Sequence, residues 1–392
     1  MRIAIIGAGI AGVVPAYFLS KRGHDVTIFE QERYAAMRTS YANGGQVSVS
    51  NSEVWTTWAN VLKGLKWMLK KDAPLLIHPT LDLDKIKWII KFLQHTASNV
   101  YKQNTIETIK LGLESRALYK QIIKDENLEF DQSKSGILHI YKEQKYLNAA
   151  FDAKDIYENH GCEWKTITNL KEIIDLEPNL KDMEGLIGAA WTQDDWVGDI
   201  HKFCKGLLDT IRLKYNACVS FNNGINDPRL LLGGFDKVVI AAGVESVHLA
   251  KVLGESLPIY PVKGYSITID AQDVKSYNAM PKVSLLDDQA KIVTATLGTR
   301  LRVAGTAELC GYNRDITRSR IEPLLNWINQ NFPSIDTSCY SSWACLRPMT
   351  PNMMPIVRES KVKNIYYHTG HGHLGWTISP ATAMNLVNQL EN

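Results

Sequence analysis

Residues 1–30 read MRIAIIGAGIAGVVPAYFLSKRGHDVTIFE. Arg2 to Ile6 has the apolar run of a buried β-strand, and the turn Gly7-Ala8-Gly9-Ile10-Ala11-Gly12 follows at once. A helical pattern runs from Val13 to about Arg22, Gly23 ends it, and His24 to Glu30 reads as a second strand. Strand, glycine turn, helix and strand in that order are what a Rossmann-like dinucleotide site requires. Gly7 permits the tight turn, Gly9 lets the backbone approach a pyrophosphate, and Gly12 lets the helix lie close to the sheet. The helix N-terminus offers amides and a partial positive charge to that phosphate. Glu30 ends the second strand, where a carboxylate accepts hydrogen bonds from ribose hydroxyls and repels a 2′-phosphate, which disfavours NADP. Pro15 breaks a local rule by deleting a backbone donor early in the helix, and the sequence offers no reason for it.

The rest of the chain bounds the class. At about 150 residues per domain, 392 residues predict two to three domains. With 45% apolar and 22% charged residues the composition is globular. A net charge of +3 argues against a dedicated nucleic-acid binder. No apolar run reaches the roughly 18 residues that a membrane-spanning helix needs. The six cysteines include no Cys-x-x-Cys pair and no export signal precedes them, so free thiols in a reducing cytosol are expected.

Three further segments bear on the dinucleotide, which the fingerprint alone leaves open between NAD and FAD. Thr39 to Gln46 (TSYANGGQ) is a polar loop suited to a flavin's pyrophosphate and ring. Lys237 to Gly243 (KVVIAAG) is a short strand ending in small residues that admit close approach. Asn364 to His368 reads as a strand, followed by Thr369-Gly370-His371-Gly372-His373-Leu374-Gly375-Trp376 and a helical pattern over about Ser379 to Leu390. That is a second glycine loop opening a helix. His371 and His373 alternate there without a Cys or carboxylate ligand nearby, so they read as loop histidines beside a cofactor, and no metal is expected.

These segments resemble the FAD-dependent D-amino acid oxidase superfamily, and most closely its bacterial D-amino acid dehydrogenases. The matching runs are GAGIAG, SYANGGQVS, LKGLKWMLKKDAPL, PVKGYSITI, LRPMTPNMMPIV and His368 to Trp376, spread from end to end of the chain. The resemblance implies an α/β, two-domain flavoprotein, with a Rossmann-like FAD-binding domain and a substrate domain of mixed sheet plus helices. The FAD-binding domain is mapped onto 1–52, 145–180, 197–250 and 335–392, and the substrate domain onto 53–144, 181–196 and 251–334. It also implies that an amino acid passes hydride from Cα to flavin N5, giving an imino acid that hydrolyses to a 2-oxo acid and ammonia.

Site residues follow from the resemblance. Arg347, in Leu346-Arg347-Pro348, matches the arginine that binds the substrate carboxylate in related oxidases, and a planar guanidinium suits that task. Its plainer reading is a structural arginine at a strand end. Tyr265 is assigned to the substrate pocket, against a core reading, and His371 to the flavin's pyrimidine edge, stabilising charge on the reduced ring. FAD contacts are assigned to Gly7, Ala8, Gly9, Ile10, Ala11, Gly12, Glu30, Gln31, Thr39, Ser40, Asn43, Gly44, Gly45, Gln46, Ile225, Ala241, Ala242, Gly243 and Cys345. The second glycine loop adds Gly370, His371, Gly372, His373, Leu374, Gly375, Trp376 and Thr377.

Two departures stand out. Cys345 replaces the glycine that precedes Leu-Arg-Pro in the dehydrogenases. In sarcosine-oxidase-like relatives a cysteine at the equivalent place bonds covalently to the flavin, and the alternative is a small buried thiol filling the glycine's space. Trp191 and Trp196 flank Asp194-Asp195, either to favour a bulky or cationic amine or to pack a domain interface. Basic residues interleaved with tryptophan over Trp55 to Lys71, and again over Lys85 to Lys91, suit a helix on anionic lipid. The alternative is two helices covering the core with their lysines in solvent. The expected protein is cytoplasmic or peripheral on the inner face of the plasma membrane, passing electrons to a quinone or another non-oxygen acceptor. An enzyme for glycine, sarcosine or a cyclic secondary amine, an RNA-modification enzyme and a catalytically silent flavoprotein are the other readings.

Overall fold

The computed structural model describes residues 1–67 and 74–392, except for the Trp67 side chain. Among these residues the strands form a six-stranded sheet, a nine-stranded sheet and a two-stranded ladder. The six-stranded sheet runs Ile356–Glu359, Ile365–Thr369, Lys237–Ile240, Arg2–Ile6, Asp25–Phe29, Cys218–Ser220, parallel throughout except at the first pair. Its strands are apolar on both faces because both faces are covered. Ile3 and Ile5 pack with helices Ile10–Lys21, Ile200–Lys214 and Gly375–Glu391. Ala4 and Ile6 face the opposite layer, with Val247, Leu249 and Ala250 of helix Ser246–Val252.

The nine-stranded sheet is mixed. Its long strands Tyr340–Met349, Tyr260–Asp270 and Arg300–Leu309 lie side by side and antiparallel. One face, through Tyr265, Ile267, Leu301 and Val303, packs on helix Arg318–Asn331. Side chains alternate along a strand, so Gly264, Ser266, Trp343, Cys345 and Arg347 share the opposite face.

Two segments assigned by sequence to the FAD-binding domain pair elsewhere. Tyr340–Met349, within 335–392, lies along Tyr260–Asp270, and Lys165–Ile167, within 145–180, pairs with Gly188–Thr192. Both belong to the larger sheet. Such exchanges leave no compositional mark, because a strand is equally apolar whichever sheet receives it. The terminal helix Gly375–Glu391 starts one turn earlier than its sequence pattern implied. All six cysteines are free.

Trp191 and Trp196 are explained by packing. Trp196 joins Tyr119, Phe130, Phe203 and Trp376 in a buried aromatic cluster, and Trp191 packs beside the core of the larger sheet. Asp195 between them accepts hydrogen bonds from the Val49 and Ser50 amides and pairs with Arg116.

Candidate functional site

A cavity of about 710 Å³ opens beyond the C-terminal ends of strands Arg2–Ile6, Asp25–Phe29, Lys237–Ile240 and Ile365–Thr369, against the edge strand Tyr340–Met349 of the larger sheet. At one end stand Glu30, Gln31 and residues 223–226; the middle is walled by Gly7, Gly9, Ile10, Ala11, Thr39 and Ser40. The far end is formed by Trp343 to Leu346, Pro348, His371, Gly372 and Gly375.

The glycine turn is built for close packing and for an anion. Gly7 has φ +109, and a Cβ on Gly12 would lie 1.9 Å from the Gly7 carbonyl oxygen, so the helix tip rests directly on the strand end. Glu30 fixes the turn by accepting from the Ala8 amide at 2.7 Å, while the Ile10 amide donates to Ser40 Oγ at 3.1 Å. Helix Ile10–Lys21 has no side-chain cap and no acidic residue in its first turn, and the same holds for helix Gly375–Glu391. Two helix N-termini whose first turns carry no acidic residue thus reach one cavity. An FAD would fit this donor set: Gly7, Gly9 and the helix tip would hold its diphosphate and Glu30 and Ile225 its adenosine, leaving the wall at Cys345 and Gly375 for the flavin.

Of the sequence-assigned cofactor residues, the cavity wall includes Gly7, Gly9, Ile10, Ala11, Glu30, Gln31, Thr39, Ser40, Ile225, Ala241, Ala242, Gly243, Cys345, His371, Gly372 and Gly375. Asn43, Gly44, Gly45 and Gln46 are placed otherwise. A Cβ on Gly44 would meet Val293 at 2.7 Å and one on Gly45 would meet Ala295 at 3.0 Å, so these glycines admit the larger sheet. Gln46 donates to Ser284 and the Asn43 carbonyl accepts from Arg302. Ala8 and Gly12 support the turn from behind. Gly370, His373, Leu374, Trp376 and Thr377 also lie off the wall: Trp376 is in the aromatic cluster, Leu374 packs with Leu111 and Ile378, and Thr377 accepts from the Ser48 amide.

Arg347 lies next to wall residues Leu346 and Pro348. Its guanidinium covers Gly264, whose absent Cβ would be 2.3 Å from Cζ, and Nη1 donates to the Thr306 carbonyl at 3.0 Å. No carboxylate among the described residues pairs with it. Tyr265 points the other way, into the core under helix Arg318–Asn331, and donates to Glu308 at 2.6 Å. The structure therefore does not bring Tyr265 to the cavity; strand alternation separates it from Arg347. Burial pushes the Cys345 thiol up, opposed by Arg347, which favours the protonated over the nucleophilic form.

Strand Ile365–Thr369 and the loop after it carry three histidines, His368 and His371 buried and His373 half-buried. His371 lines the cavity, and burial pushes it well below its ordinary value, so it brings no positive charge there. Burial lowers His368 to about 4 and His373, with Arg347 adding repulsion, to about 3. His373 stacks on Trp55 with ring centroids 4.8 Å apart. An unfolded histidine titrates near 6.5, so below that pH the unfolded chain binds protons that the native one refuses. Stability is therefore full above about pH 6.5 and is lost as pH falls towards 4, His368 alone contributing about 3 kcal/mol. The melting temperature should fall from pH 7 to pH 4.5, and His368→Asn should flatten that slope. An equal slope in the variant would contradict the assignment.

Sequence reading missed Arg38, Glu245, Arg314 and Trp343 on the wall. Arg38 pairs with Glu32 and with Glu245, which also holds Arg314. These partners come from three distant segments, and no local motif marks them.

The family described as FAD dependent oxidoreductase matches residues 2–389. The chain belongs to that family. Among curated relatives, the D-amino acid dehydrogenase 3 of Mesorhizobium japonicum is 44% identical, covering 98% of this chain and 96% of the relative. The D-amino acid dehydrogenase of Paramagnetospirillum magneticum is 36% identical, covering 97% and 92%. Among solved structures, the glycine oxidase of Geobacillus kaustophilus superposes with TM-score 0.76 at 19% identity, covering 100% of this chain and 95% of that one. This last likeness is one of fold alone. From the family match, FAD is this chain's cofactor and oxidoreduction its class of reaction.

Proposed function

We propose that this FAD-dependent oxidoreductase is a dehydrogenase of D-amino acids, producing 2-oxo acids and ammonia and passing electrons to a quinone. The observation that carries the reading is Arg347: a guanidinium with no carboxylate partner among the described residues, beside the Cys345 end of the cavity, in a chain 44% identical to a D-amino acid dehydrogenase. Bound FAD supplies the two-electron acceptor for the substrate's Cα–H bond. Arg347 binds the substrate carboxylate through its fork. The Thr306 carbonyl and the missing side chain of Gly264 fix where that fork points, which orients Cα. The imino acid that leaves is hydrolysed by water.

Anaerobic bleaching of the flavin absorbance by a panel of D- and L-amino acids, glycine, sarcosine and proline tests this. Rapid bleaching by several D-amino acids, with recolouring faster on quinone than on oxygen, is the expected result. Bleaching by glycine, sarcosine or proline alone overturns the substrate assignment.

We further propose that the enzyme works against a membrane surface. Among the described residues no helix is long and apolar enough to cross one. However, Trp58, Leu62 and Leu65 of helix Trp58–Trp67, with Leu81, and Leu83, Ile86 and Ile90 of helix Leu83–Ala97, are exposed. Their spacing makes apolar stripes on the outer faces of both helices. Of the residues that sequence assigns to lipid, three are engaged inside the fold: Trp88 donates to the Met349 carbonyl, Lys85 to His78 and Thr80, and Trp55 stacks on His373. Met68, Leu69, Lys70 and Lys71 lie outside the described residues. Anionic vesicles should co-sediment the protein at low salt, and Leu62→Asp with Ile86→Asp should at least halve the bound fraction; no binding at either low or moderate salt rules the surface out.

A further inference from the structure

Pro15 sits in helix Ile10–Lys21 and has no N–H for the Ala11 carbonyl four residues earlier. That carbonyl is taken from outside the helix: His368 Nδ1 lies 2.6 Å from it. A carbonyl oxygen only accepts, so Nδ1 carries a proton. His368 is fully buried with no carboxylate beside it among the described residues, so its ring is neutral and Nε2 is an acceptor. Thr382 Oγ1, 2.9 Å from Nε2, must be the donor. With its one proton committed, Thr382 can only accept from its other neighbour, His371 Nε2 at 3.0 Å.

Thr382 has a competing choice, since the Ser379 and Ile378 carbonyls of its own helix lie 3.0 and 3.2 Å away. Donating there would leave lone pairs facing each other between Thr382 and His368, which the first arrangement avoids. The same use of proline recurs in helix Gly375–Glu391. Pro380 frees the Trp376 carbonyl, which accepts from Tyr119 Oη at 2.6 Å.

His371 lines the cavity, its Nε2 is engaged behind the wall, and its Nδ1 has no protein partner among the described residues. We propose that Pro15, His368 and Thr382 are positioning residues that fix His371 as the Nε2-protonated tautomer, so that its Nδ1 is presented as an acceptor to a hydroxyl or N–H of bound FAD. The relay explains why a helix at the cofactor turn carries a proline, because an alanine there would reclaim the Ala11 carbonyl. It rests on membership of the FAD family and not on the substrate proposed above.

The test is long-range ¹H–¹⁵N correlation on holoenzyme labelled at histidine nitrogens, near pH 7. His368 should be protonated at Nδ1 and His371 at Nε2. Thr382→Val should convert His371 to a tautomer mixture, shift the flavin's visible band and weaken FAD binding about fivefold to tenfold, the worth of one neutral hydrogen bond. Thr382→Ser should restore all three to near wild type. His371 found as imidazolium or protonated at Nδ1 in the wild type overturns the proposal. So does a Thr382→Val holoenzyme with unchanged tautomer and FAD affinity. Pro15→Ala gives an independent reading, and an unaltered His371 signal there removes Pro15 from the relay. None of these readouts needs turnover, so they stand apart from the identity of the substrate.

Discussion

Replacing Arg347 with leucine lowers kcat/KM for D-amino acids by about 10³ while the enzyme still purifies yellow. The size follows from the two charge-assisted hydrogen bonds that a guanidinium fork makes to a carboxylate, about 1.5–3 kcal/mol each, or about 4 kcal/mol together. The flavin is spared because Arg347 is held by Thr306 and lies beside the cavity wall without forming it. Arg347→Lys keeps the charge but loses the planar fork, so it should recover only part of the rate. Gly264→Ala should act in the same direction without touching the arginine, because its new Cβ would collide with the guanidinium. Steady-state kinetics together with the flavin spectrum check all three. Unimpaired kcat/KM in Arg347→Leu would return the residue to a structural role.

The second large effect is at the glycine turn. Gly12→Ala should yield a colourless and less stable protein, because its Cβ would lie 1.9 Å from the Gly7 carbonyl oxygen and 2.9 Å from its carbon. Both are backbone atoms and neither can rotate aside, so the helix tip must lift off the strand. Overpacking of this kind costs about 3 kcal/mol or more, and the displaced helix end no longer faces the diphosphate. Gly9→Ala separates the two effects. Its Cβ would meet only Ser40 Oγ, at 3.3 Å, so the fold should survive while FAD affinity falls. The ratio of flavin to protein absorbance and the melting temperature of each variant report the difference. A yellow, fully stable Gly12→Ala protein would contradict the packing described.

How far the sequence could be read depends on the range of the interactions involved. The first nucleotide-binding unit is local: Gly7, Gly9 and Gly12 act within one turn of the chain, and Glu30 closes on the Ala8 amide next to them. The family blocks around Arg347 and His371 were legible for the same reason, since each is contiguous. By contrast, the glycines at 44 and 45 announced that something approaches closely but not what. A missing Cβ accommodates a sheet as readily as a flavin, and here it is Val293 and Ala295 that approach.

Tyr265 and Arg347 show a second limit. Alternation assigned them to strands, yet only the assembled sheet reveals which face meets the cavity and which meets helix Arg318–Asn331. Arg38, Glu245 and Arg314 meet across long loops, so nothing near them in the chain signals their partners. Pro15 was visible as a broken rule from the first reading. Its meaning needed His368, hundreds of residues away, to be brought against the freed Ala11 carbonyl. The sequence by itself determined the cofactor fold and the glycine turn whose backbone lines the cavity. Which buried side chains face that cavity, and with what support, was decided by the tertiary structure, because burial and hydrogen-bond partnership are properties of neighbours in space.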